Sequence, residues 1–95
     1  KGTIGNDKDH VDAFVKPETP LDYDGPVFVI DQVDPDTGKF DEHKCVLGCR
    51  TKAQAEEVYK RHYEAGWKGF GGIKSMHLNE FKFWLASGDT GSAAQ

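Results

Sequence analysis

Three apolar segments in the first half of the chain predict β-strands, and they lie at residues 11–15, 27–33 and 40–47. The run from Val27 to Ile30 is continuously apolar, which is typical of a strand buried on both faces. Residues 34–39 predict a turn, because Pro35 presets φ and Gly38 can adopt a positive φ. The second and third strands therefore form a predicted hairpin.

After residue 50 the apolar spacing changes to a helical period. Thr51 is a suitable N-cap, and Gln54 three residues later completes a capping box. The predicted buried face holds positions i, i+3, i+4, i+7 and i+8, which are Ala55, Val58, Tyr59, His62 and Tyr63. This pattern makes His62 a predicted core histidine and Gly66 the predicted C-terminal cap.

Residues 67–73 combine three glycines with large aromatic side chains. These glycines either cradle a phosphate or, in the interpretation we favour, let the backbone turn while Trp67 and Phe70 fill the core. A short strand is predicted at 73–76, and a second helix is predicted to start near His77 and to be stopped by Gly88.

Together these elements predict an α+β domain with three to five strands in a small antiparallel sheet or barrel, followed by two helices. We predict one domain over residues 1–87 and a disordered tail over residues 88–95. A length of 95 residues suits one small domain.

Charge is unevenly distributed along the chain. Residues 1–42 hold eleven acidic and four basic residues, whereas the remainder holds five acidic and eight basic residues. The acidic half repels nucleic-acid phosphate and suits cation capture, so no nucleic-acid partner is expected. No apolar run approaches the ~20 residues of a membrane-spanning helix, so no membrane partner is expected either. The start lacks a methionine and a signal peptide, and we interpret the chain as a fragment or processed product of a cytoplasmic protein whose Cys45 and Cys49 are reduced.

Three carboxylates precede and open the first predicted strand: Asp7, Asp9 and Asp12. Asp7 and Asp9 point to the same side of an extended backbone, and a bend before Asp12 would bring the third carboxylate to them. Such a group needs a counter-charge, and Mg²⁺ takes oxygen ligands while keeping waters for phosphate substrates. The alternative is a solvated acidic turn, which is common on acidic proteins.

A second acidic cluster lies at the hairpin tip: Asp36, Asp41 and Glu42. If the first strand pairs beside the hairpin, both clusters reach the same end of the sheet, which favours two or more divalent ions. A carboxylate not fully engaged by metal could then act as a general base. Lys44 lies two residues after Glu42 on the same strand face and could bind phosphate. The alternatives are that Asp34 and Asp36 only cap the turn and that Lys44 only pairs with an acid across the strands.

The run from Asp7 to Val15 resembles the signature of the soluble, OB-barrel (family I) inorganic pyrophosphatases. The matching positions are Asp7, Asp9, Val11, Asp12 and Ala13. The downstream order is also similar, with an apolar strand, an acidic tip, an acid-x-Lys motif at Glu42 and Lys44, and later Tyr63. The resemblance implies an OB-like barrel and hydrolysis of pyrophosphate or a related phosphoanhydride. It also implies Mg²⁺, or alternatively Mn²⁺, as the cofactor and a small phosphate-containing substrate as the partner.

The same resemblance implies a role for each site residue. The implied metal ligands are Asp7, Asp12 and Glu42 for the activating ion and Asp36, with Asp41 as the competing choice, for a substrate-borne ion. Asp9 would be the general base, and Lys44 and Tyr63 would bind phosphate.

A closer resemblance covers nearly the whole chain. The segments that carry it are residues 1–12, 29–32, 40–44 and 73–85. They look like a pyrophosphatase-like module of bacteriophage and prophage polypeptides, which implies other domains of a larger phage polypeptide as partners. Lys8 and His10 depart from the signature, and Glu64 stands where a substrate-binding lysine is usual. These departures imply an alternative function, a catalytically degenerate binding or assembly module on the same fold.

Overall fold

The computed structural model describes residues 11–88 and 90–94. The elements are β1 (Val11–Val15), β2 (Val27–Val33), β3 (Phe40–Leu47), α1 (Lys52–Lys60), β4 (Phe70–Met76) and α2 (Leu78–Ser87). This arrangement confirms the predicted α+β class and the bounds of the first three strands. The fourth strand begins at Phe70 rather than Ile73, and α1 precedes it, so that only α2 follows the complete sheet.

The four strands form a mixed sheet in the order β1-β3-β2-β4. β2 runs antiparallel to β3 and to β4, as the predicted hairpin requires, whereas β1 runs parallel to β3. β1 departs from the predicted antiparallel arrangement because β3 turns back from the hairpin and lies between β1 and β2. Within residues 11–88 and 90–94 the sheet is open, with β1 and β4 at its edges, so the barrel alternative is corrected to a sheet.

Alternate strand residues fill two cores, one on each face of the sheet. On the face covered by α1, called the α1 face, the buried apolar residues are Phe28, Ile30, Val46, Cys49, Ala55 and Tyr59. On the face covered by α2, called the α2 face, they are Val11, Val27, Val29, Cys45, Met76 and Phe81. β2 is therefore buried on both faces, as its continuous apolar run predicts. Trp67 and Phe70 pack against the core of the α1 face.

α1 ends sooner than its sequence period predicts. The Thr51 side chain accepts a hydrogen bond from the backbone N–H of Gln54 at 3.1 Å, which is the expected N-cap. The helix stops at Lys60, so His62 lies beyond it and is exposed. The prediction of a core histidine is therefore wrong. The His62 ring instead stacks on Phe14, with ring centroids 4.3 Å apart.

The described residues that follow α2 lie against the α2 face. Thr90 is buried, the carbonyl of Ser92 accepts a hydrogen bond from His43 Nε2 at 2.9 Å, and the Ala94 N–H donates to Asp31 at 2.9 Å. These contacts hold residues 90–94 of the predicted tail against the sheet. None of the helices in the described part of the chain is long and apolar enough to cross a membrane.

Candidate functional site

Lys44 forms two ion pairs at one end of the α1 face. Its Nζ lies 2.8 Å from Asp12 Oδ2 and 3.1 Å from Glu42 Oε2. These three residues are called the Lys44 cluster. The Lys44 side chain is only 11% exposed, whereas the side chains of Asp12 and Glu42 are 36% and 25% exposed. The cluster therefore presents carboxylates to solvent beside a positive charge held in place.

Strand register explains why these residues meet. Asp12 on β1 stands directly opposite Lys44 on β3. Glu42 precedes Lys44 by two residues, so its side chain projects from the same face of β3. The structure thus brings together three of the predicted site residues, from positions 30 residues apart along the chain.

The ammonium of Lys44 offsets only one of the two carboxylate charges of the Lys44 cluster. Burial disfavours the charged ammonium of Lys44, but the hydrogen bonds and charges of Asp12 and Glu42 outweigh that effect and raise the pKa of Lys44. The ammonium is therefore protonated at neutral pH. It also lies 5.9 Å from the ring centroid of Phe14, at a distance typical of a cation–π contact.

Gln32 connects the Lys44 cluster to two tyrosines. Its Oε1 accepts hydrogen bonds from the hydroxyls of Tyr59 and Tyr63, each at 2.8 Å. Its Nε2 donates to Glu42 at 3.2 Å and to Asp41 at 3.3 Å. Because carboxylates only accept, the amide nitrogen must face them and the amide oxygen must face the hydroxyls. Gln32 therefore holds the Glu42 carboxylate beside Lys44.

Sequence reasoning did not identify Gln32. Gln32 follows Phe28 and Ile30 at alternate positions of β2, and all three side chains project to the α1 face. The signal that could have identified it is a polar amide at the next alternate position after two apolar residues of a buried strand. Because Gln32 is buried, its polar atoms need hydrogen-bond partners, and the side chains around it provide them.

Tyr59 and Tyr63 form the aromatic side of this network. Trp67 Nε1 donates a hydrogen bond to the Tyr59 hydroxyl at 2.8 Å, and the Trp67 ring stacks on Tyr63 with centroids 4.4 Å apart. Burial raises the pKa of Tyr59 to about 12 and also raises the pKa of Tyr63. Both hydroxyls are therefore protonated donors at neutral pH.

The remaining predicted site residues lie apart from this arrangement, at its margin, or outside the described residues. Asp36 is exposed in the hairpin turn, where its backbone N–H and that of Thr37 donate to Asp34 Oδ1 at 2.8 and 3.2 Å. Asp34 thus caps the turn, as one of the predicted alternatives states. Asp41 is exposed and contacts the network through Gln32. Asp7 and Asp9 lie outside the described residues.

The cluster carboxylates fit Mg²⁺ in chemical type but are already shared with a lysine. Within residues 11–88 and 90–94 no group of three or more His, Cys, Asp or Glu side chains is arranged to hold a metal ion. Mg²⁺ binds proteins through one or two carboxylates, with waters and substrate phosphates completing its shell. Asp12 and Glu42 provide two such carboxylates, so a cation there would compete with the Lys44 ammonium.

A second buried polar pair lies on the α2 face, separated from the Lys44 cluster by the sheet. His43 Nδ1 is 3.1 Å from Asp31 Oδ1, although without the geometry of a hydrogen bond. The fully buried His43 ring packs against Phe40 and Trp84, with centroids 4.7 Å away in both cases. This pair anchors residues 90–94 and is a structural feature of the opposite core.

Comparison with known protein families identifies a match over most of the chain. The family model described as Inorganic Pyrophosphatase matches residues 1–86. Neither the search of curated proteins nor the search of solved structures found a match.

Proposed function

Because the chain belongs to the inorganic pyrophosphatase family, we propose that it hydrolyses pyrophosphate or a related phosphoanhydride at the Lys44 cluster. The observation that carries the proposal is the convergence of Asp12, Glu42 and Lys44 at a partly exposed end of the sheet. Phosphoanhydride cleavage needs cations around the phosphoryl oxygens and carboxylates to hold them. The cluster contains both groups.

Mg²⁺, with Mn²⁺ as the alternative, is the proposed cofactor. Asp12 and Glu42 would hold it, Asp7 would complete the ligand set, and Asp36 or Asp41 would contact an ion that arrives with the substrate. When bound, such an ion neutralises phosphoryl charge and lowers the pKa of a bound water.

The protein's own groups have separate tasks in the proposed reaction. The Lys44 ammonium binds a phosphoryl oxygen of the substrate, and the Tyr63 hydroxyl binds another. Tyr63 has one proton to donate, so it exchanges its bond to Gln32 for a bond to phosphate. The oxygen of water bonds to phosphorus, and Asp9 takes the proton. The bridging P–O bond breaks, and its electron pair leaves with the departing phosphate.

The second candidate function is a catalytically degenerate binding or assembly module of a phage or prophage polypeptide. The observation that favours it is that Lys44 already forms ion pairs with both Asp12 and Glu42. In that case the other domains of the polypeptide are the partners and the cluster serves to join β1 to β3. For either function we propose a cytoplasmic location and neither nucleic acid nor membrane as a partner.

Phosphate release from pyrophosphate in the presence of Mg²⁺ tests the proposed hydrolysis. Asp12→Asn and Glu42→Gln are expected to lower kcat/KM by roughly 10²-fold or more, because each removes a carboxylate that would hold the cation that neutralises phosphoryl charge. Asp22→Asn is the matched control, because Asp22 is an exposed carboxylate in the loop between β1 and β2. It should retain the activity of the unchanged chain.

The effect of Mg²⁺ on the melting temperature separates the two candidates. A cation that binds the folded state raises the melting temperature, and Asp12→Asn should remove that rise. No phosphate release at high protein concentration, together with no effect of millimolar Mg²⁺ on melting, would exclude the hydrolase and leave the binding module.

A further inference from the structure

A cavity of about 760 Å³ opens beside β1 and the end of α1. Phe14, Val58 and His62 form part of its lining, together with the charged side chains of Lys16, Glu18 and Arg61. Its volume lies within the usual range of small-molecule sites. The combination of flat aromatic rings and cations suits a ligand that carries both a planar ring and negative charge.

Phe14 joins this cavity to the Lys44 cluster. It lies two residues after Asp12 on β1, so both side chains project to the α1 face. Its ring stacks on His62 with an interplanar angle of 12°, and it also lies 5.9 Å from Lys44 Nζ. A ligand bound in the cavity therefore lies one aromatic ring away from the proposed phosphate site.

His62 offers a stacking surface to the cavity. One side of its imidazole is covered by Phe14, while the residue as a whole is exposed. Its Nδ1 contacts the carbonyl of Val58 at 2.9 Å, which fixes the plane of the ring. A further planar ring can therefore extend the stack of Phe14 and His62 without displacing either side chain.

We propose that this site recognises a nucleoside polyphosphate, with the base stacked on His62 and the phosphoanhydride at the Lys44 cluster. This inference rests on the proposed function for the position of the phosphates. The lining holds two cations, Lys16 and Arg61, against one carboxylate, Glu18, and Arg61 also pairs with Glu57 at 3.0 Å. This balance of charge favours a ligand that carries negative charge. Pyrophosphate alone would leave the aromatic part of the cavity without a partner.

The reaction at this substrate is the same hydrolysis with a different leaving group. The oxygen of water bonds to the terminal phosphorus, and the bond from that phosphorus to the bridging oxygen breaks. The bridging oxygen keeps the electron pair and remains on the nucleotide, which is released one phosphate shorter. Stacking does not distinguish among bases, because every base has a π-face, so we expect recognition of the nucleoside rather than of one base.

Binding of ATP and of inorganic triphosphate to the full chain, measured by calorimetry in the presence of Mg²⁺, tests the inference. ATP should bind the unchanged chain more tightly than triphosphate. His62→Ala should weaken ATP binding by roughly tenfold more than it weakens triphosphate binding, since it removes a base–aromatic stack. His62→Tyr should restore ATP binding because it restores a planar ring.

His77→Ala is the matched control, because His77 is an exposed histidine outside the cavity lining. It should leave both affinities unchanged. Equal affinity for ATP and triphosphate, or equal losses for both in His62→Ala, would overturn the inference. Pyrophosphate hydrolysis measured on the same samples separates the two proposals. Hydrolysis of pyrophosphate without tighter binding of ATP than of triphosphate removes only the nucleotide inference. Tighter binding of ATP without hydrolysis of pyrophosphate or ATP removes only the proposed function.

Discussion

At the scale of single residues, Gln32 is the side chain on which the candidate site depends most. It satisfies two tyrosine hydroxyls with its oxygen and two carboxylates with its nitrogen. A buried amide with all these partners holds them in one arrangement, and among the other side chains only the shorter asparagine carries the same donors and acceptor. The position of Glu42 relative to Lys44 therefore follows from Gln32 as well as from the strand register.

Gln32→Leu should lower the free energy of unfolding by about 2–3 kcal/mol. The change removes the acceptor of both tyrosine hydroxyls, and a buried polar group without a partner costs about 1–3 kcal/mol. Urea unfolding measures the effect. Gln54→Leu is the control, because Gln54 is exposed and its side chain makes one local hydrogen bond to the Arg50 N–H. Equal losses in the two variants would contradict the assigned role of Gln32.

The residues that the sequence identifies correctly are those whose neighbours are fixed by strand geometry. Glu42 and Lys44 share a face because they are two residues apart on one strand, and this is visible without coordinates. The ion pair between Lys44 and Asp12 could not be identified in the same way, because it depends on which strand lies beside β3. The sequence left that pairing open. His62 was misplaced because the helical period continues in the sequence through Tyr63, three residues beyond the end of the helix at Lys60.

At the scale of elements, the connection between β3 and α1 depends on Gly48. Its φ is 98°, in the left-handed region that favours glycine. A Cβ built on Gly48 would contact the side chains of Thr19 and Lys16 in the loop that follows β1. Residue 48 therefore needs glycine both for its backbone conformation and for the close approach of a neighbouring segment.

Gly48→Ala should lower the free energy of unfolding by about 1–3 kcal/mol, since it adds steric overlap to an unfavourable φ. Gly38→Ala is the matched control, because Gly38 has a φ of 77° but no atom within 4 Å of its built Cβ. It should show only the smaller backbone effect, on the order of 1 kcal/mol. Thermal or urea unfolding of both variants measures the difference. A loss in Gly38→Ala as large as that in Gly48→Ala would show that the close approach contributes nothing.

The elements themselves were largely predictable, whereas their arrangement was not. The apolar run of β2 and the turn at Pro35 and Gly38 locate a hairpin from local chemistry alone. The placement of β1 beside β3 depends instead on pairing between strands separated by more than twenty residues. No local pattern encodes that choice, so the parallel pairing appeared only in the structure.

At the scale of the whole molecule, the sheet separates two chemically different regions. Lys44 and its carboxylates lie on the α1 face, which is partly open to solvent, whereas the α2 face is closed by α2 and by residues 90–94. Cys45 lies between Lys44 and Val46 along β3 but projects into the closed α2 face. The ionisation of the Cys45 thiol therefore depends on whether this core is closed to water.

This burial makes stability depend on pH in the alkaline range. Burial raises the pKa of the Cys45 thiol from 9.0 to about 12. In the unfolded chain the thiol loses its proton near pH 9, whereas in the folded chain it keeps the proton until about pH 12. The folded state then binds more protons than the unfolded state, so the free energy of unfolding should fall as pH rises through this window. The contribution of one thiol is at most about 1.4 kcal/mol per pH unit.

Urea unfolding of the unchanged chain and of Cys45→Ala between pH 9 and pH 10 tests this expectation. The window lies below pH 10 because burial also raises the pKa of Tyr59, from 10.0 to about 12, which adds a second decrease above that pH. Cys45→Ala should flatten the decrease, with a smaller slope remaining because burial also raises the pKa of Cys49. Val29→Ala is the matched control, since fully buried Val29 pairs with Cys45 across β2 and β3 and carries no titrating group. It should lower stability at every pH while keeping the slope, whereas an unchanged slope in Cys45→Ala would mean that the thiol is not shielded from water in the folded state.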